Sequence, residues 1–212
     1  MQTLRVVLFT LALGSWSSAQ RRRCDGKFLA KWLGYNPDAW EIIRHNHTGY
    51  HLMFYSNGRL QKMDKCLSTT KSSPDHGKKW ERIVTYHSSP NSTVYSGLTH
   101  VSTEKSEDFF VYDNSLKASY SRKLSDSHYE RLYSTNDVIY MEENMCIVLK
   151  SDLFGYEVWV HTPYLKKTRR IPYFCVFFYE ACAGTDKIWA YDWDHCPLTT
   201  HDVPEKLKQP HT

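Results

Sequence analysis

The sequence lacks the motifs that usually carry catalysis. It has no Gly-x-Ser-x-Gly elbow, no P-loop and no dinucleotide-binding glycine fingerprint. Its 11 histidines are scattered, and no His-Glu-x-x-His occurs. "DWDHC" (192–196) gathers two Asp, a His and a Cys but lacks the paired Cys/His spacing of a zinc site. An enzyme, a cofactor and a bound metal therefore have no positive support. No segment beyond Leu13 is apolar enough to cross a bilayer, which takes roughly 20 residues. There is no internal repeat, no low-complexity tract and no second-domain boundary. Strong charge of one sign is also missing. With 27 Lys+Arg, 23 Asp+Glu and a net charge of +4, the chain is mildly basic and points to no nucleic acid. "RRR" (21–23) and "KKTRR" (166–170) are short basic runs, read as solvated charge with a polyanion patch as the alternative.

What is present begins with the first residues. Arg5 is followed by an apolar run from Val6 to Leu13, then by mostly small residues up to Ala19. That layout predicts a cleavable secretory signal over 1–19 and a single domain over 20–212. All 6 cysteines lie after it, and an even number in a secreted chain reads as three disulfides, with 15 possible pairings. Two sequons, at Asn46 and Asn91, are candidate glycosylation sites. The expected product is secreted, monomeric and without a membrane partner.

The texture of the chain is that of strands. Near the start, "FLAKWL" (28–33) and "NPDAWEIIRH" predict short helical turns, with Asn36 as N-cap, Pro37 at the first helical position and Trp40 buried. From about residue 50, segments rich in Tyr, Phe, Val and Ile recur: 49–56, 60–69, 79–88, 92–102, 108–113, 117–124, 136–143, 145–151 and 155–162. Turn-formers such as "SNG" and "SSPDHG" separate many of them. This pattern predicts a sandwich or barrel of antiparallel hairpins. "IPYFCVFFYEACAG" (171–184) predicts one late helix, entered at Pro172 and left at Gly184. On a helix Cys175 and Cys182 share a face, so disulfides can pin it twice to one neighbour. "KIWAYDWDHC" is a possible last strand.

The strand "GYEVWVHT" (155–162) poses the functional question. Alternation places Glu157, Trp159 and His161 on one face, with Tyr156, Val158 and Val160 on the other. A carboxylate between bulky side chains either sits on a half-exposed strand or lines a pocket.

"DAWEII" (38–43), "NDVIYMEENMCIVLKSDLFGYEVWV" (136–160), the Pro-x-x-Cys at 172–175 and the closing Cys196, in that order, resemble the tick salivary lipocalins, the group that includes the histamine-binding proteins. The Gly-x-Trp signature of lipocalins in general is missing. The resemblance implies an all-β, lipocalin-type antiparallel barrel of about eight strands, with a short N-terminal helix and one C-terminal helix. It also implies the pairings Cys146–Cys175, Cys66–Cys196 and Cys24–Cys182. Carried over by position, it places Glu157, Trp159 and Asp137 in a ligand cavity, with Tyr55 as a further aromatic wall. A buried carboxylate suits an ammonium ligand, and aromatic walls suit its ring. The implied function is capture of a host biogenic amine, histamine or serotonin, to blunt host defence. The loop after Tyr55 lacks the acidic residue and the Trp of histamine-binding members and instead carries Arg59 and Lys62. That keeps a lipid mediator as the second ligand class. Blocking a host protein through the outer surface is the third alternative.

Overall fold

The structure is a computed structural model that describes residues 24, 26–44, 49–56, 64–74, 79–88, 93–125 and 128–196. The signal-like segment 1–19, the run 21–23, both sequons and the residues Arg59 and Lys62 lie outside the described residues. Two short helices come first, α1 (Gly26–Leu33) and α2 (Ala39–Arg44). Gly34, at φ 64, ends α1 in the left-handed conformation that glycine adopts without strain. Asp38 starts α2: its carboxylate accepts the Trp40 N–H at 2.9 Å, the service an N-cap provides. Asn36 was the expected cap, but it bonds only back to the Gly34 carbonyl. Trp40 is half-buried; Ala39, Ile42 and Ile43 take the buried face.

Eight strands then run antiparallel around a barrel. They are β1 (Tyr50–Tyr55), β2 (Asp64–Pro74), β3 (Lys79–Ser88), β4 (Thr93–Glu104), β5 (Ser115–Ser125), β6 (His128–Glu142), β7 (Cys146–Ser151) and β8 (Gly155–His161). Each pairs with the next, β8 returns to β1, and β1 meets β2 through Tyr50–Thr69 and His51–Ser68. Closure removes the exposed edges that an open sheet must otherwise protect. Gly49 sits at this seam, where a Cβ would lie 1.9 Å from the Thr69 carbonyl oxygen, so the two strands close only over glycine.

Two segments depart from the sequence pattern. Residues 108–113, expected as a strand, form an irregular loop. Only Phe110 of its apolar residues is buried, and Asn114 ties the loop by bonding Ser106 twice. Strand β6 begins eight residues earlier than expected because it pairs along the full length of β5.

After β8 come α3 (Thr162–Thr168), where a loop was expected, α4 (Tyr173–Ala183) and the two-residue β9 (Ile188–Trp189). Strand β9 pairs with the far half of the β1 edge that β2 occupies at its start. Helix α4 lies on the outer face of the sheet. Its Cys175 and Tyr179 are buried, and the Tyr179 ring packs edge-on against Phe54 at 4.8 Å. Phe178 stacks on Tyr140 at 4.2 Å. The three disulfides are Cys24–Cys182, Cys66–Cys196 and Cys146–Cys175. They pin α4 to two neighbours, β7 and the segment before α1, rather than to one. Among the described residues no helix is long and apolar enough to cross a membrane.

Cys66–Cys196 joins β2 to the chain beyond β9, at a separation of 130 residues. Cross-links of such long loops stabilise by about 2–5 kcal/mol through the unfolded chain. Replacing both cysteines with serine is expected to lower stability by about 4 kcal/mol, with the barrel still formed. Chemical denaturation followed by far-UV circular dichroism checks both parts.

Candidate functional site

Inside the barrel, strand alternation gathers one carboxyl group among mainly apolar side chains. Glu157 and Trp159 of β8 register against Leu149 and Ile147 of β7 and against Tyr55 and Leu52 of β1. Their shared face points inward, because Val158 and Val160 on the other face pack under α4. Two bulges keep this division. On β1, Met53 and Phe54 both point outward; on β6, Ile139 and Tyr140 do so, while Val138 and Met141 face in. The extra residue in each strand resets the alternation, as bulges do.

The result is a cavity of about 130 Å³. Ile42 and Ile43 of α2 close one side; Tyr50, Val101, Leu116, Ile147 and Leu149 supply apolar walls; Trp159 and Glu157 reach in from β8. Ser134 and Asn136 of β6 add polar atoms, but these are engaged. Asn136 donates to the Leu116 carbonyl at 3.1 Å and accepts from the Ser134 hydroxyl at 2.7 Å. Ser134 also lies 3.2 Å from the Ser151 hydroxyl, which in turn accepts the amide of Leu153 at 3.0 Å.

Glu157 is different. It is 1% exposed. One carboxylate oxygen, Oε2, accepts the Trp159 indole N–H at 2.7 Å. The other, Oε1, has no hydrogen-bond partner among the described residues. Burial raises the carboxyl from its ordinary range to about 7, against the pull of the Trp159 indole and the nearby Ser151 hydroxyl; Asp152 adds a small push upward. A carboxylic group held near neutrality, with one oxygen lacking a donor beside open space, is a site for a donor that brings positive charge.

The other residues singled out from sequence fall differently. Asp137 does not line this cavity. Neighbouring Asn136 and Val138 face the interior, so Asp137 faces out, in register with Lys150 and Ser115, and lines an outer pocket with Glu107 and Phe110. Tyr55 shares the Glu157 face but is packed behind the cavity, its ring 5.3 Å from Phe154 and in one cluster with Leu52, Leu67 and Trp159. Sequence reasoning missed Asn136, Ser134, Ile42 and Ile43. The period-2 pattern that found Glu157 also finds Ser134 and Asn136 once β6 is known to turn Val138 and the alternate residues before it inward. In "DWDHC", Cys196 is in a disulfide and Asp192 bonds the backbone of Asp194 and the His195 ring.

Fold and cavity together define a lipocalin-type barrel, a closed antiparallel container with one buried polar anchor. The family model described as tick histamine binding protein matches residues 30–197. The chain belongs to that family. Among solved structures, the crystal structure of AM182 in complex with serotonin is similar, with a TM-score of 0.52 at 16% sequence identity, covering 78% of this chain and 95% of that one. That likeness speaks for the fold. No curated protein sequence matches significantly.

The Trp159–Glu157 bond yields a test within the protein itself. Trp159→Phe keeps an aromatic wall but removes the donor, leaving the buried carboxyl with less to stabilise its charged form. Its titration is expected to move up from about 7, read by pH-dependent NMR of labelled glutamate carboxyls. A carboxyl that does not move would show that the indole does not govern its charge.

Proposed function

We propose that the protein captures a small amine ligand inside the barrel, with the Glu157 carboxylate as counter-ion and Trp159 as both its orienting donor and an aromatic wall. The observation that carries this is the Glu157 Oε1 atom: buried, on a side chain that lines the cavity, and lacking a hydrogen-bond partner among the described residues. An ammonium group supplies the missing donor and the opposite charge together. A charge-assisted bond of this kind contributes roughly 1.5–3 kcal/mol. The family's description as histamine-binding, and the serotonin bound to its structural neighbour, support the same ligand class.

Cavity size favours an amine over a lipid mediator. A volume of about 130 Å³ lies well below the roughly 300 Å³ at which sites for larger molecules begin. It suits a compact one- or two-ring compound and is small for a long acyl chain. Mechanism is stoichiometric capture: occupancy of the barrel lowers the concentration of mediator available to its receptors. The signal-like segment 1–19 and three disulfides support secretion, with 20–212 as the mature domain and host defence as the process opposed. Asp137, turned outward, has no part in this site.

Calorimetric titration of the secreted protein with histamine, serotonin and leukotriene B4 tests the proposal. Submicromolar amine binding is the expected result, and leukotriene binding alone would sink it. Glu157→Gln keeps an acceptor for Trp159 but loses the charge. It is expected to weaken amine binding at least about tenfold, or 1.4 kcal/mol.

The pH dependence follows from the raised carboxyl. In the empty protein Glu157 holds its proton up to about pH 7. Amine binding needs the charged form, so affinity is complete above that pH and falls below it, by up to about tenfold per unit. Serotonin, charged throughout this range, is the suitable probe, and Glu157→Gln is expected to flatten the profile. The same shift fixes the sign for stability. Folded Glu157 holds its proton more tightly than the unfolded chain does, so its contribution is lost as pH rises from about 4.5 to 7. Glu157→Gln is therefore expected to raise the stability of the empty protein at pH 8, by an amount on the order of 3 kcal/mol, measured by denaturant unfolding.

A further inference from the structure

Helix α4 is apolar on both sides. Its inner face, Cys175 and Tyr179, packs on the barrel. Its outer face presents Tyr173, Phe174 and Phe177 at 73%, 54% and 49% exposure. Tyr173 and Phe177 stack along the helix with ring centroids 6.4 Å apart. The single charged residue of the helix, Glu180, is engaged by Lys187 at 2.5 Å. A surface helix ordinarily turns polar residues outward. This one turns an aromatic stripe outward and leaves it uncovered by any described residue.

Basic residues stand at the start of that stripe: Lys166, Lys167, Arg169 and Arg170 are all exposed, and Arg170 is three residues from Tyr173.

We propose that this aromatic, base-flanked face of α4 docks the protein on anionic phospholipid surfaces. Aromatic rings and basic side chains divide the work at a membrane interface: rings sit at headgroup depth, while Lys and Arg reach the anionic headgroups. A second copy of the chain is a poor occupant, because the same face brings these cations no carboxylate but Glu180, which Lys187 already engages. The stripe also lies on the convex surface of a helix, which a lipid interface accepts without a matching groove. This revises the expectation that the protein has no membrane partner. It is independent of the amine site, which lies on the other side of the sheet.

The test is sedimentation of the protein, purified from a secreting eukaryotic host, with vesicles of phosphatidylcholine alone or mixed with phosphatidylserine. Binding to the mixed vesicles, at least about tenfold stronger than to neutral ones and weakened by salt, is expected. Tyr173→Ser with Phe177→Ser, and separately Lys167→Glu with Arg170→Glu, are each expected to reduce it at least about tenfold. Unchanged thermal melting and unchanged serotonin titration would show that these surface variants still fold and keep the cavity. Equal binding to both vesicle types, binding to neither, or wild-type binding by both variants would overturn the proposal. So would retention on heparin without vesicle binding, which would make the face a polyanion site.

Discussion

A carboxylate kept dry is the constraint on which the interior depends. Glu157 sits in a barrel whose other cavity walls are mainly hydrocarbon and aromatic ring. In such surroundings an ionised group is costly unless donors meet it. The protein supplies one donor, the Trp159 indole two residues along the same strand, and leaves the second carboxylate oxygen unmet. Ser134 and Asn136 are bonded to one another and to backbone, and the pull of the nearby Ser151 hydroxyl is smaller than the push of burial. The empty site is thus less stable than its packing permits, and that incompleteness is what a ligand can use.

Holding this arrangement requires a barrel that does not breathe. Strand β1 does much of the closing. One of its edges pairs with β8, and the other is shared between β2 and β9. Two disulfides reach this region from opposite directions: Cys66–Cys196 ties β2 to the chain beyond β9, and Cys146–Cys175 ties β7 to α4. The third fastens the start of the described chain to the end of α4. Helix α4 then covers Val158 and Val160, the outward neighbours of the two site residues. Because neighbouring side chains on a strand point to opposite faces, packing on the outside of β8 fixes what its inside presents. The outer face of β1 shows the same logic. His51 is buried against Tyr191, and burial, reinforced by Lys166, holds its ring down to about 4, so it packs there as a neutral aromatic.

Much of this was legible from the residues. Six of the eight barrel strands fall where segments rich in Tyr, Phe, Val and Ile predicted them; β2 was recognised only in its first half and β6 only in its second. The late helix keeps its Pro and Gly limits because both residues disfavour continuation there. Local chemistry sufficed for these features. It failed where a partner decides. The apolar run 108–113 has strand composition, yet among the described residues no strand pairs with it. Residues 162–168 end in a basic run that reads as loop, and they fold as α3 against β8.

The division is sharpest at the site. The sequence by itself determined that Glu157 and Trp159 share a face, since two residues along a strand always do. It also determined six oxidisable cysteines and a hairpin-rich antiparallel sheet, with sandwich and barrel both open. Only tertiary structure decided which face turns inward. That choice depends on strand register, on the bulges at Met53 and Ile139, and on which surface α4 covers. A slip of one position exchanges the two faces of a strand. Asp137 and Asn136 show the consequence: they are adjacent in the chain, and register places the amide beside the cavity and the carboxylate outside it.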